Sequence, residues 1–213
     1  MNVTELIELT NRLSTDKSEL TPKERAAYLQ YLNMANDELY EIASSGYAPI
    51  ITRKNLFPAF ESPFYKGTTA FNYPDNFFKI DSVFADHTLL KRGNIKDMAS
   101  GSNVGEYLTS HLYIYVDNKN KFLTAVDPTD GVTKKYITLF YAQLPKRLVE
   151  NINDDNLETD TPVYPLPYHI FLVHGALYYF YFSNKVFMDK MAYIRNVWEN
   201  DKKILANFKN YGL

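Results

Sequence analysis

The sequence predicts an α+β fold, with N- and C-terminal helix pairs packed together as a small helical bundle around a central antiparallel β insertion. Three observations predict it. Apolar residues recur at three- and four-residue steps up to about residue 46 and again from about residue 168. Between Tyr47 and Pro145 the period changes to two, with turn residues every ten or so positions. Proline-rich chain, Thr161-Pro162-Val163-Tyr164-Pro165-Leu166-Pro167-Tyr168, leads back into helix. The expected organisation is a helical domain of residues 1–46 and 162–213, and a β-rich insertion of residues 47–161, a small sandwich or barrel-like sheet.

The first helix is signalled by Asn2 as N-cap with Glu5 three residues on, and Val3, Leu6, Ile7, Leu9 and Leu13 give its apolar stripe. Ser14 to Leu20 is a polar break. Thr21-Pro22-Lys23-Glu24 starts the second helix: Thr21 caps, Pro22 occupies the first turn where no N–H is needed, and Glu24 closes the capping box. Tyr28, Tyr31, Leu32, Ala35, Leu39 and Ile42 form its stripe, and Gly46 suits its stop.

Pro49, Pro58, Pro63 and Pro74 punctuate what reads as irregular extended chain. Phe77 to Phe84 reads as a strand, Asp86-His87 as a turn into Leu89-Leu90, and Gly93 to Gly105 as a loop. Leu112 to Val116 and Phe122 to Val126 form a hairpin across Asp117 to Asn120, and Asp127-Pro128-Thr129-Asp130-Gly131 is a turn cluster. Lys135 to Ala142 is a further strand, followed by Leu144-Pro145 and an acidic loop with Asp154, Asp155, Glu158 and Asp160. Helices then run from Tyr168 to about Asn184 and from about Phe187 to Phe208. Met191, Ile194, Val197 or Trp198, Leu205 and Phe208 share a face of the last, and Lys202, Lys203 and Lys209 complement its dipole.

Composition narrows function by exclusion. The formal net charge is −2, so no basic field favours non-specific phosphate binding. The absence of cysteine removes disulfides, thiolate metal sites and a cysteine nucleophile, and fits synthesis inside a cell. No signal-peptide pattern opens the chain, and the apolar run Ile170 to Phe182 is too short for a membrane span, so a soluble protein with no membrane partner is expected. Tyrosine and phenylalanine number 18 and 14, which suits protein interfaces; an AT-rich coding bias is the plainer source of the excess.

A search for reactive chemistry finds none, and no catalytic residue, metal or cofactor is expected. His169 and His174 are five apart, off one helical face, without an H-E-x-x-H pattern. Asp127 to Gly131 lacks the ligand alternation of a calcium loop, and Asp154, Asp155, Glu158 and Asp160 read as a solvated loop rather than a cation site. No G-x-S-x-G elbow is present, and Gly101 to Gly105 has the wrong spacing for a phosphate loop. Tyr113 and Tyr115 alternate with apolar residues, which favours cross-strand packing over a stacking platform for single strands.

Taken in order, these motifs resemble the head-to-tail adaptor (ring or connector) proteins of tailed bacteriophages, of the short-tailed and crAss-like phage type. Thr4 to Leu9, then Tyr28 to Tyr40, is similar to that family's opening helices, with its Y-L-N-x-A-x-x-E-L run at Tyr31, Leu32, Asn33, Ala35, Glu38 and Leu39. Tyr73 to Val83 resembles its L-P-x-D-F-x-x-I strand start, and Ile137 to Tyr141, Leu144-Pro145, the acidic loop and Pro165 to His169 resemble its C-terminal half. The departures are Gly46 to Phe71, longer and richer in proline, and the loop Gly93 to Gly105.

The resemblance implies a non-enzymatic virion protein of the neck or tail, made in the host cytoplasm. It implies a homo-oligomeric ring of about twelve copies, built from heterologous contacts that close. The ring docks on the portal protein, extends the DNA channel for ejection, and presents a surface to the next tail or ring protein. Genomic DNA passes through without specific binding. By the same resemblance, Lys202, Lys203, Asn207, Lys209, Asn210 and Tyr211 are candidates for portal contact. Asn94, Lys96, Ser102 and Asn103 are candidates for a loop ordered on assembly. The alternative reading is a virion or surface glycan-binding β module; an enzyme built on His169, His174 and the acidic loop ranks third.

Overall fold

The computed structural model describes residues 1–15, 17–44, 50–61, 69–85, 87–93, 112–115, 122–126, 136–150, 158–184 and 188–208. The expected turn or loop positions Gly46, Asp86, Asp127 to Gly131, Asp154 and Asp155, and nearly all of the loop beginning at Gly93, lie outside them. The fold is α+β, with two helices at each end of the chain and a central, mostly antiparallel sheet region. It divides into two compact units, Met1–Ile50 with Pro145–Leu213, and Ile51–Leu144.

The first unit holds helices α1 (Val3–Ser14), α2 (Pro22–Ala43), α3 (His169–Ser183) and α4 (Met188–Phe208). Both N-terminal capping boxes form: the Glu5 N–H donates to Asn2 Oδ1 at 2.9 Å, and the Thr21 N–H donates to Glu24 Oε2 at 2.9 Å. These reciprocal bonds satisfy orphan first-turn donors, which is why local sequence alone marks the helix starts. α3 is apolar on nearly every side because it is the central helix, packed against α1, α2 and α4. A Cβ placed on Gly175 would lie 2.6 Å from Ala35 Cβ and 2.9 Å from Trp198 Cη2, so glycine lets the three helices meet there. Phe180 stacks on Tyr28 with ring centroids 5.6 Å apart, joining α3 to α2.

The buried line of α1 differs from the expected stripe. Val3, Leu6 and Ile7 are buried, but the line continues through Thr10, Asn11 and Ser14, and Leu13 is 49% exposed. Each buried polar group has a partner that makes this tolerable: Thr10 Oγ1 donates to the Leu6 carbonyl at 2.8 Å, Asn11 Nδ2 donates to the Lys17 carbonyl at 2.7 Å, and Ser14 Oγ and Tyr28 Oη lie 2.6 Å apart. On α4, Ile194, Trp198 and Leu205 are buried as expected; the Phe208 side chain lies outside the described part.

A short parallel strand pair, Arg147–Leu148 with Glu158–Thr159, belongs to this helical unit. Asn33 holds it: the Leu148 N–H donates to Asn33 Oδ1 at 2.8 Å, and Asn33 Nδ2 donates to the Leu148 carbonyl at 3.0 Å. Arg25 clamps Glu150 through Nε at 2.8 Å and 2.9 Å and through its terminal nitrogen at 2.6 Å, while Thr4 Oγ1 donates to the same carboxylate at 3.1 Å. Such bidentate pairing fixes orientation as well as charge.

The second unit contains β1 (Ile51–Leu56), β2 (Phe60–Glu61), β3 (Thr69–Asn72), β4 (Phe77–Ala85), β5 (Thr88–Leu89), β6 (Lys91–Arg92), β7 (Leu112–Tyr115), β8 (Phe122–Val126) and β9 (Ile137–Gln143). They form a four-stranded sheet in the order β1-β9-β4-β5 and a five-stranded sheet in the order β2-β3-β8-β7-β6. One core serves both: Leu56, Val83, Ile137, Leu139 and Tyr141 from the first meet Phe71 and Leu123 from the second. The hairpin of β7 and β8 pairs antiparallel from Leu112 opposite Val126 to Tyr115 opposite Leu123. His87 turns β4 into β5 with φ 69°, a left-handed conformation. The reading of residues 47–74 as irregular chain is corrected by β1, β2 and β3. β1 escaped it because Thr-Arg-Lys-Asn shows no apolar alternation; it is an edge strand whose centre faces solvent.

Candidate functional site: assembly surfaces

At the C-terminal part of α4, Lys202 is bound rather than free. Its Nζ lies 3.2 Å from Glu38 Oε2 and 2.7 Å from Glu199 Oε1, and 5.4 Å from the centre of the Trp198 ring. Burial lowers the affinity of this ammonium for its proton, but hydrogen bonds to Glu199 and Glu38 outweigh it, so the pKa is raised. The Tyr179 hydroxyl donates to the other oxygen of Glu38, and burial followed by that carboxylate pushes its pKa well up. Lys202 therefore ties α4 to α2, and α3 joins the same network through Tyr179. Lys203 and Asn207 are exposed further along the helix. Lys209, Asn210 and Tyr211, and the loop candidates Asn94, Lys96, Ser102 and Asn103, lie outside the described residues.

The two histidines answer to different partners. His169 is buried; its Nε2 donates to the Tyr164 carbonyl at 2.7 Å, and its Nδ1 lies 3.1 Å from the Met1 amino group. Burial holds its pKa down. His174 Nδ1 lies 2.7 Å from Oδ2 of the buried Asp201, linking α3 to α4. Among the described residues no group of three or more His, Asp or Glu side chains is placed to hold a metal ion, and no helix is long and apolar enough to cross a membrane.

Exposed apolar groups gather at one end of the helical unit. A groove of about 530 Å³ is lined by Leu13, His174, Leu177, Tyr181, Tyr193 and Ile194, among others. Phe182, Met188 and Tyr193 are also exposed there, where α3 ends and α4 begins, with Tyr193 at 72%. In the β unit, Phe57 is 67% exposed and packs beside the exposed Tyr136 with ring centroids 6.2 Å apart. Sequence reasoning missed both clusters and the His174–Asp201 pair. Periodicity marks an apolar residue as core by default, and nothing local distinguishes Tyr193 from a buried neighbour.

An α+β chain with terminal helices around a β insertion, carrying exposed aromatic surfaces, has the character of an assembly component. Residues 1–201 match the family model of the SU10 adaptor protein. The chain belongs to that family, the phage head-to-tail adaptors, whose role in the virion is structural. No curated protein matches it.

Proposed function

We propose that the chain is the protomer of a closed ring of about twelve copies, joined by heterologous side-to-side contacts. The ring docks beneath the portal protein at the virion neck, continues the DNA channel, and offers its far side to the next tail or ring protein. It performs no catalysis. The observation that supports this reading most is the family match over 201 of 213 residues, which spans both helical ends and the β insertion. A net charge of −2 supports passage of DNA, because few phosphates would be neutralised by the wall.

The portal side is assigned to the end of α4 and the residues beyond it. Lys203 and Asn207 present polar groups there, and Lys209, Asn210 and Tyr211 extend the same segment. Lys202 supports the helix by its bonds to Glu38 and Glu199. The segment from Asn94 to Asn103 is assigned to a contact made on assembly.

Size-exclusion chromatography of the protein with its portal protein tests the assignment. Co-elution is expected for the full chain and loss of co-elution for a chain ending at Phe208. Co-elution that survives both this truncation and the Lys203→Glu exchange places the portal contact elsewhere. A full chain that never co-elutes removes the portal from the reading.

A further inference from the structure

We propose that the open edge of β1, in the β unit, is a docking site for an extended segment of another protein that carries two adjacent acidic residues. β1 is the terminal strand of its sheet: β9 pairs with one side from Ile51 opposite Ala142 to Leu56 opposite Ile137, and no other strand among the described residues pairs with the far side. An open edge of six residues presents a row of backbone donors and acceptors whose natural complement is an added strand.

The side chains specify that strand further. Arg53, Lys54 and Asn55 are exposed, and neither Arg53 nor Lys54 makes an ion pair among the described residues. Successive residues of a strand alternate between faces, so Arg53 and Lys54 lie on opposite faces of the sheet. Leu56, two residues on from Lys54, enters the core, while Asn55 shares the other face, where its Oδ1 accepts from Thr138 Oγ1 at 3.0 Å. An added strand meets one cation on each face, and only consecutive acidic residues answer both. Beyond the end of the edge, the exposed Phe57 and Tyr136 offer an aromatic anchor for an apolar side chain of the incoming segment.

Two other accounts of the edge fit less well. Self-pairing of β1 with β1 of a second copy, antiparallel and centred on the strand, joins residues of one face only, so it sets Arg53 opposite Arg53 or Lys54 opposite Lys54, a like-charge arrangement that opposes it. Lysine and arginine placed only to guard an edge against aggregation do not explain an aromatic ring 67% exposed at its end, which is itself an adhesive feature. The contact is independent of portal docking and is carried by β1 and its two flanking aromatics alone.

The test uses the intact protein and a fluorescein-labelled probe, acetyl-Thr-Val-Asp-Glu-Thr-Val-Thr-amide, read by fluorescence anisotropy. Binding is expected, weakened by added salt. It should fall about tenfold for the Arg53→Glu/Lys54→Glu variant, whose unfolding temperature controls for the fold. A probe with alternate backbone nitrogens methylated keeps its charges and is expected not to bind, because it cannot complete the ladder. Equal binding of the methylated probe overturns strand addition. So does tighter binding of a single-stranded oligothymidine than of the acidic probe, which makes the edge a nucleic-acid surface. Absence of probe binding, with a change of native mass in the charge-reversed variant, overturns the proposal in favour of a contact between copies. Absence of binding with unchanged mass leaves β1 a guarded edge and ends the proposal. Portal co-elution measured on the same sample keeps this failure separate from failure of the ring reading.

Discussion

Gly175 has no room for a side chain. Its missing side chain is what allows Ala35 and Trp198 to approach, so Gly175→Ala forces α2 or α4 to move. Overpacking of this kind costs about 1–3 kcal/mol, and a lowered unfolding temperature on calorimetry is expected. Ala35→Gly in the same chain should restore part of the loss, since the two sites share one contact. Asn33 is a second such residue. Asn33→Leu removes both bonds to the buried Leu148 and strands its N–H, at about 1–3 kcal/mol. Glu150 makes a pH-dependent contribution. Hydrogen bonds from Arg25 hold its carboxyl below the usual range against the opposing effect of burial. A carboxylate lowered on folding stabilises the native state above its unfolded pKa, and that contribution is lost as pH falls through the folded value. The gap in unfolding temperature between wild type and Glu150→Gln should therefore be present at neutral pH and close in acid. A gap independent of pH would assign the difference to packing.

At the scale of elements, what the sequence made legible was whatever is decided within four residues. Asn2 with Glu5, and Thr21 with Glu24, start α1 and α2 because the same short stretch that names the cap also supplies its bonds. Thr21→Ala is expected to cost about 1 kcal/mol and to show first as fraying of α2 in helical circular dichroism. β4, the β7–β8 hairpin and β9 were legible from alternation and turn residues. β1 was not, because an edge strand buries little and needs no alternation. The tyrosines show the same limit. Tyr28, Tyr141, Tyr164 and Tyr181 are buried with their hydroxyls bonded, to Ser14, Asn76, the Asn36 carbonyl and the Leu13 carbonyl respectively. They are core residues with satisfied tips, and only contacts distant in sequence separate them from Tyr193 and Tyr136, which face solvent.

At the scale of the whole molecule, the chain enters and leaves the β unit at neighbouring points. Ile51 on β1 is paired opposite Ala142 on β9, so residues 51–144 begin and end side by side. A short Gly-Ser link in place of that stretch is expected to leave α1 to α4 folded, measured as retained helical circular dichroism with a cooperative melt. Loss of the cooperative melt would make the two units one folding entity. The candidate surfaces were the least legible part of the molecule, because a residue that waits for a partner carries no periodicity of its own; the order of motifs pointed to an adaptor, and the family match agrees. The most direct test of the adaptor account is the native mass of this protein mixed with the portal protein. The account predicts one closed complex with as many adaptor copies as portal subunits. A mixture that yields only the portal assembly and free protein would contradict it.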